Sequence, residues 1–367
     1  MSEEVYRQLR ETMAKRGPQM RVLDIPEFYE MARVLFTPEE AEISNAMPPG
    51  TFTPNVIAQE TGRSEKEVTE ILEAMADKGL CSSVVKRDGT RVYFGPPLLP
   101  GIFEYQFVRG TKTDRDRRIA RVIHNYKEAV QAAGASLSTI TQPPSFRTIP
   151  VDRKIEAETA VQTYEQVLAY IAQADPISVA TCYCRHEALL LDEKDVCGMP
   201  MEVCFQFDRT AENVIERRMG RRVTKEEAAD IMRQAEEAGL VHLGVNIQKL
   251  DFICNCCPCH CVALKTVLSH PNPAQAILCR YRPSFDPDLC VADEICIDRC
   301  PAKALTLGEE RVPEVDLERC IGCGVCASGC LEGAITLVER DGFLVPPADR
   351  RALGEAIVES LAQRGSS

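Results

Sequence analysis

Apolar positions recur at helical spacing through residues 1–36, with Pro18 and Pro26 breaking the run. Thr37 and Glu40 form a capping-box pair that predicts a short helix ending near Pro48-Pro49-Gly50. A second short helix fits Pro54 to Thr61, and Gly62 separates it from a third. Ser64 and Glu67 open that third helix; Val68, Ile71, Leu72 and Met75 share one face, and Gly79 stops it. Two strands follow, Ser82 to Lys86 and Arg91 to Phe94, joined by the turn pair Asp88-Gly89. Three helices and a β-hairpin predict a winged-helix-like unit within residues 1–110. The Pro and Gly cluster from Gly95 to Gly101 closes it.

Beyond it, residues 113–133 predict a helix with a basic face of Arg115, Arg117, Arg118, Arg121 and Lys127, read as solvated. Residues 134–150 look irregular, a linker or wrapping arm, and 155–174 look helical. Thr224 and Glu227 cap a helix that ends at Gly239, and a last helix fits 348–364.

Charge narrows the use of these elements. The third helix carries Glu65, Glu67, Glu70, Glu73 and Asp77 against Lys66 and Lys78, a poor surface for phosphates. With a formal net charge of −12, no nucleic-acid partner is expected, and the winged unit reads as a docking surface. No apolar run approaches the ~20 residues needed to span a bilayer, so no transmembrane segment is expected. The N-terminus lacks an apolar secretion core, which favours the cytoplasm. Neither a dinucleotide glycine fingerprint nor a P-loop is present.

Cysteine changes the picture most. Of 18 in the chain, 17 fall between Cys182 and Cys330. In a reducing compartment such density points to metal, and with only 5 His the donors must be mostly thiolates.

The last seven cysteines sit in an internal repeat with an offset of 30 residues. Asp286 to Cys290 aligns with Asp316 to Cys320, and Cys300 to Leu307 with Cys330 to Leu337. The second half reads Cys320-x2-Cys323-x2-Cys326-x3-Cys330, and the first ends Cys296-x3-Cys300-Pro301. Two-residue gaps let a turn aim successive thiolates at corners of a cube about 3 Å on a side, given metal–thiolate bonds of about 2.3 Å. This spacing and repeat resemble the bacterial-type two-cluster ferredoxins. The resemblance implies two [4Fe–4S] clusters with crossed ligation. One would take Cys320, Cys323, Cys326 and Cys300; the other Cys290, Cys296 and Cys330. Asp293 aligns with Cys323, where the family has a cysteine. The second cluster is therefore expected to be either [4Fe–4S] with Asp or water on one iron, or [3Fe–4S].

Nine further cysteines lie upstream: Cys182, Cys184, Cys197 and Cys204, then Cys254, Cys256, Cys257, Cys259 and Cys261. They predict at least one additional [4Fe–4S] cluster, with a zinc site as the alternative. The favoured grouping sets the first four apart from the last five, with mixing between them equally open. His186 and His260 are either extra ligands or ordinary surface residues, and Cys81 and Cys279 are read as small apolar residues. The run Cys182 to Arg185, the segment Gly239 to His242 and the run Cys254 to Cys261 resemble a poorly characterised group of multi-cluster 4Fe–4S proteins of anaerobic bacteria.

The expected architecture is thus α+β and multidomain. It comprises a helical, winged-helix-like domain (1–110), a Cys-rich and mainly helical middle domain (111–275), a ferredoxin-like two-cluster module (276–340) and a C-terminal helix (341–367). The resemblance implies electron transfer, as a low-potential shuttle or as the wiring subunit of a larger anaerobic oxidoreductase complex, with redox partner proteins as donor and acceptor. The alternatives are a reductase using an open upstream cluster and a redox-sensing winged-helix regulator.

Overall fold

A computed structural model describes residues 2–16, 22–135, 140–151, 166–192, 194 and 197–365. The chain divides into two compact units. The first takes Met1–Thr139, Ala180–Val196 and Ala211–Arg221; the second takes Ile140–Val179, Cys197–Thr210 and Arg222–Ser367.

The first unit is built from helices Ser2–Arg16, Pro26–Leu35, Pro38–Ala46, Pro54–Thr61, Glu65–Asp77 and Asp114–Ala132. Its hairpin pairs β1 (Ser82–Val85) with β2 (Arg91–Phe94), Ser82 opposite Phe94. A bridge between Phe52 and Tyr93 adds a third extended segment to the hairpin. The local signals act as physics requires. The Thr37 hydroxyl accepts from the Glu40 backbone N–H at 3.2 Å, and the Glu40 carboxylate accepts from the Thr37 N–H at 2.9 Å. Val68, Leu72 and Met75 are buried, while Ile71 is half-buried.

The acidic side of the Glu65–Asp77 helix is engaged within its own unit. Arg217, its side chain 4% exposed, donates to Glu73 at 2.9 and 3.1 Å, to Asp77 at 2.9 Å and to the Ser83 hydroxyl at 2.7 Å. Truncating a buried cation strands its partners, but Glu73 and Asp77 can reach water, so the cost stays below that of a fully buried pair. Arg217→Ala is expected to lower stability by about 2–3 kcal/mol in urea unfolding, with iron content unchanged. The basic helix has Arg115, Arg118 and Arg121 at the surface, but Lys127 is buried in an ion pair with Glu187.

The middle stretch, expected to be mainly helical, also contributes a sheet to the second unit. A six-stranded sheet runs through it, formed by β3 (Phe146–Thr148), β4 (Ile177–Thr181), β5 (Glu202–Phe207), β6 (Arg221–Val223), β7 (Val241–Val245) and β8 (Phe252–Cys256). The order across the sheet is β3-β7-β8-β5-β4-β6. Every residue of β7 is buried, so it shows no alternation and its apolar run is ambiguous between helix and strand. Phe205, Phe207 and Ile253 face a core that also holds Ile177, Val179, Met232 and Val245. The supposed irregular arm supplies edge strand β3, whose Arg147 is buried and donates to the Ile247 carbonyl at 3.1 Å. Of the helix expected over 155–174, residues 155–165 lie outside the described residues, and Val167–Gln173 is helical. The C-terminal helix spans Arg350–Gly365.

The rest of this unit is a small two-halved module. Its first half holds β9 (Tyr281–Phe285), a short helix Ile295–Arg299 and β10 (Leu305–Leu307). The second holds β11 (Pro313–Val315), a helix Val325–Gly329 and β12 (Ile335–Glu339). The halves exchange strands: β9 pairs antiparallel with β12, Phe285 opposite Ile335, and β10 with β11, Leu305 opposite Val315. The backbone repeats the offset of 30 residues, since Asp286 N–H donates to the Ala334 carbonyl at 2.9 Å and Asp316 N–H to the Ala304 carbonyl at 2.8 Å. Arg299 fixes the module to the helix Lys225–Glu237, donating to the terminal carbonyls of Glu236 and Glu237 at 3.0 and 3.1 Å. A cation there also meets the negative end of the helix dipole.

Candidate metal centres

Strand exchange decides which thiols meet. Cys300 precedes β10, and β10 lies beside β11, after which come Cys320, Cys323 and Cys326. These four line one cavity and are each buried, at 8–9% exposure. By the same exchange Cys330, which precedes β12, joins Cys290 and Cys296 around a second cavity. Asp293 lines that second cavity too.

The loops feeding the two cavities share an unusual backbone. Gly322 and Gly324 sit at φ +63° and +77°, and a Cβ at Gly322 would strike the Tyr281 carbonyl oxygen. Thirty residues earlier, Ala292 and Glu294 hold φ +55° and +61°. Side chains pay about 1 kcal/mol or more for that left-handed conformation. The first loop therefore keeps the cluster-loop geometry without glycine, and it carries Asp293 where the second carries Cys323. Asp293 Oδ1 accepts from the Ile295 N–H at 3.1 Å. The Cys323 thiol receives the equivalent N–H, that of Val325.

The donors suit iron. Burial pushes the Cys323 thiol well above its ordinary range and raises Cys326 and Cys300 as well. Burial and the Asp293 carboxylate push Cys296 up to about 11. Thiols so placed stay protonated at neutral pH until a bound cation draws the proton off. Cys300, Cys323 and Cys326, together with Cys320, give one cavity four thiol donors, the number that one [4Fe–4S] cluster takes. When bound there, a [4Fe–4S] cluster supplies one-electron redox chemistry; the chain supplies the thiolates, backbone N–H groups aimed at them and burial.

Upstream, the second unit gathers its cysteines in two sets. Phe205 pairs with Ile253, so the next step of that register brings Cys204 opposite Cys254. Cys256 lies on the same face of β8 as Cys254. Hydrogen bonds with the Cys254 and Cys261 thiols, together with burial, hold Cys256 well above its ordinary range. The Cys261 sulfur caps the helix Val262–Ser269, accepting from the Leu264 N–H at 3.5 Å. Gln206 donates to the Cys204 sulfur at 3.1 Å and is itself held by Ser178 at 2.7 Å. Sequence reading overlooked Gln206, although Cys204-x-Gln206 on a strand puts both on one face. The second set is Cys197, Cys257, Cys259 and His260.

Cys182 and Cys184 belong to the first unit, where Cys182 is the N-cap of helix Tyr183–Leu191. A hydrogen bond with the Cys184 thiol, then burial, raises the Cys182 thiol. His186 is buried, bonded to the Thr111 carbonyl at 2.8 Å, and burial lowers its pKa. Cys81 is buried 3.4 Å from the Leu72 carbonyl, and Cys279 is buried 3.8 Å from the Cys320 carbonyl. Among the described residues no helix is long and apolar enough to cross a membrane.

Known proteins agree with the module's geometry. The family model described as a 4Fe-4S dicluster domain matches residues 282–331. One subunit of the Na(+)-translocating ferredoxin:NAD(+) oxidoreductase complex of Acetobacterium woodii is 37% identical over 60 residues, 16% of this chain and 16% of that protein. An uncharacterized ferredoxin of Methanocaldococcus jannaschii is 47% identical over 45 residues, 12% of this chain and 29% of its own. The PorD subunit of pyruvate synthase from the same organism is 34% identical over 61 residues, 17% of this chain but 71% of PorD. The chain thus spans less than a third of the first two of these relatives. No solved structure matches it. Two four-donor cavities built by exchanged halves, over the stretch that the family model covers, place the chain through residues 282–331 in the 4Fe-4S dicluster ferredoxin family.

Proposed function

We propose that this protein is an electron-transfer subunit whose two-cluster module hands electrons to a partner protein. The observation that carries the reading is the pair of cavities, each lined by four donors of the repeat. The cavities are unequal. The all-cysteine set is buried, whereas Asp293 is exposed, as are Val291 (61%), which lines the same cavity, and Leu289 (48%) and Leu331 (87%), the sequence neighbours of Cys290 and Cys330. Exposed apolar side chains at a cluster's mouth suit transient docking of a redox partner. The Asp293 cluster is accordingly the outlet and the all-cysteine cluster its feed.

Ligands are assigned as Cys300, Cys320, Cys323 and Cys326 for the feed cluster, and Cys290, Asp293, Cys296 and Cys330 for the outlet. A further [4Fe–4S] cluster is assigned to Cys204, Cys254, Cys256 and Cys261, upstream in the path. Residues 1–110 serve as a winged-helix-like docking domain, 111–275 as the upstream metal domain, 276–340 as the dicluster domain and 341–367 as its helical extension. The A. woodii and M. jannaschii relatives are by name subunits of an oxidoreductase complex and of pyruvate synthase, which supports a place in a multi-protein complex. No disulfide forms among the described residues, which suits a reducing compartment such as the cytoplasm.

Anaerobic purification with iron and sulfide quantification tests this. About twelve irons per chain are expected for three clusters, with reduction by dithionite and reoxidation by an added ferredoxin or flavodoxin. A yield of about eight removes the upstream cluster, and a protein that cannot be reoxidised by any carrier removes the electron-transfer reading.

A further inference from the structure

The run Cys254 to Cys261 does not serve a single centre. Strand geometry sends Cys254 and Cys256 to one face of β8, and the chain then turns at residues 258–260. That turn presents Cys257, Cys259 and His260 to Cys197, which arrives from a separate segment of the same unit. The four donor atoms, three Sγ and one imidazole nitrogen, all lie within 4.8 Å of one another. Cys257 Sγ stands 3.9 Å from His260 Nδ1.

Spacing separates one ion from a cluster. Around a single tetrahedral ion with bonds of about 2.3 Å, ligand sulfurs stand about 3.8 Å apart. Around a cube about 3 Å on a side, with the same terminal bonds, they stand about 6–7 Å apart. All four donors lie within 4.8 Å of one another, as the shell of one ion requires, whereas Cys254, Cys256 and Cys261 do not form such a set. Among the described residues this is the one set of three or more His, Cys, Asp or Glu donors so tightly gathered, and the thiols around the two dicluster cavities stand farther apart. Cys257 and His260 flank two residues across a turn, the same separation that Cys-x2-Cys pairs have in structural zinc sites.

We propose that Cys197, Cys257, Cys259 and His260 bind one zinc ion as a mononuclear Cys3His centre, separate from every iron–sulfur cluster of the chain. Its burial is graded: Cys257 is buried, Cys197 and His260 are half-buried and Cys259 is exposed, so the ion sits at the surface end of the turn. Three thiolates and an imidazole complete its shell and leave no open position, which makes it structural. It pins the segment at Cys197 to the turn that ends β8, next to the strand bearing Cys254 and Cys256.

The test uses the full-length protein purified anaerobically. Elemental analysis is expected to find one zinc per chain beside the iron, and zinc-edge X-ray absorption to find three sulfurs at about 2.3 Å and one nitrogen at about 2.0 Å. Cys259→Ser, at the exposed ligand, should weaken zinc retention against a chelator by at least about tenfold while leaving iron and sulfide unchanged. Replacing zinc with cobalt(II) in the natural sequence should give the intense visible bands of a tetrahedral thiolate site, a readout independent of any variant. Iron in place of zinc, or a Cys259→Ser protein that loses about four irons, overturns the proposal.

Discussion

Replacing Cys300 with Ala is expected to empty the cavity of Cys320, Cys323 and Cys326 and to spare the cluster beside its own sequence neighbours, Cys290 and Cys296. The reason is the strand exchange. Cys300 enters β10, which pairs with β11, and Ala304 accepts the Asp316 N–H at 2.8 Å, so the thiol is delivered to the opposite half. Cys300 is 9% exposed, and water cannot easily replace it as fourth ligand. The variant should lose about four irons per chain, and in the reduced state the electron paramagnetic resonance signal of the all-cysteine dicluster centre should vanish while that of the Asp293 cluster remains. If the all-cysteine signal persists and the other vanishes, ligation is uncrossed and the assignment is wrong. With the feed cluster gone, electron delivery to an added carrier should fall by at least about tenfold, since each hop needs its neighbour.

Asp293→Cys should have the second largest effect, and in the opposite sense. The loop is already shaped for a thiolate: Ala292 and Glu294 occupy the left-handed conformations of Gly322 and Gly324, and the Ile295 N–H points at the side chain of residue 293. Carboxylate is a harder and more labile donor to iron than thiolate. The natural protein, oxidised mildly, is therefore expected to release about one iron per chain and show a [3Fe–4S] signal, while Asp293→Cys keeps its iron and shows none. Identical iron loss in both proteins would mean that Asp293 does not touch the cluster. Partner docking should be unaffected, because Leu289, Val291 and Leu331 are untouched.

Much of this was legible in the sequence, for reasons that can be named. The capped helices, the Asp88-Gly89 hairpin and the 30-residue repeat are local signals, each written within a few residues of the structure it specifies. Pairing of Cys300 with Cys320, Cys323 and Cys326 was readable from the family spacing, and the exchanged strands supply its mechanical cause. The six-stranded sheet was not legible. Its partners are distant in sequence, as with β3 and β7, where Phe146 lies opposite Val245, and strands of three to six residues carry too few periods to declare themselves. The upstream cysteines were visible as donors, yet their grouping depends on that hidden sheet. Register alone sets Cys204 against Cys254, and the end of β8 alone separates Cys256 from the adjacent Cys257.

The exchange of strands also sorts the cluster ligands by how freely a lineage can vary them. Cys300 and Cys330 are each carried by one half and line the cavity of the other, so losing either damages a site whose remaining ligands lie elsewhere in the chain. Position 293 is private: it lies at the exposed tip of its own loop and serves only its own cavity. A change there retunes one cluster and leaves its neighbour's ligands intact. The single departure from the repeat's cysteine pattern thus stands where inheritance can edit the outlet without disturbing the feed.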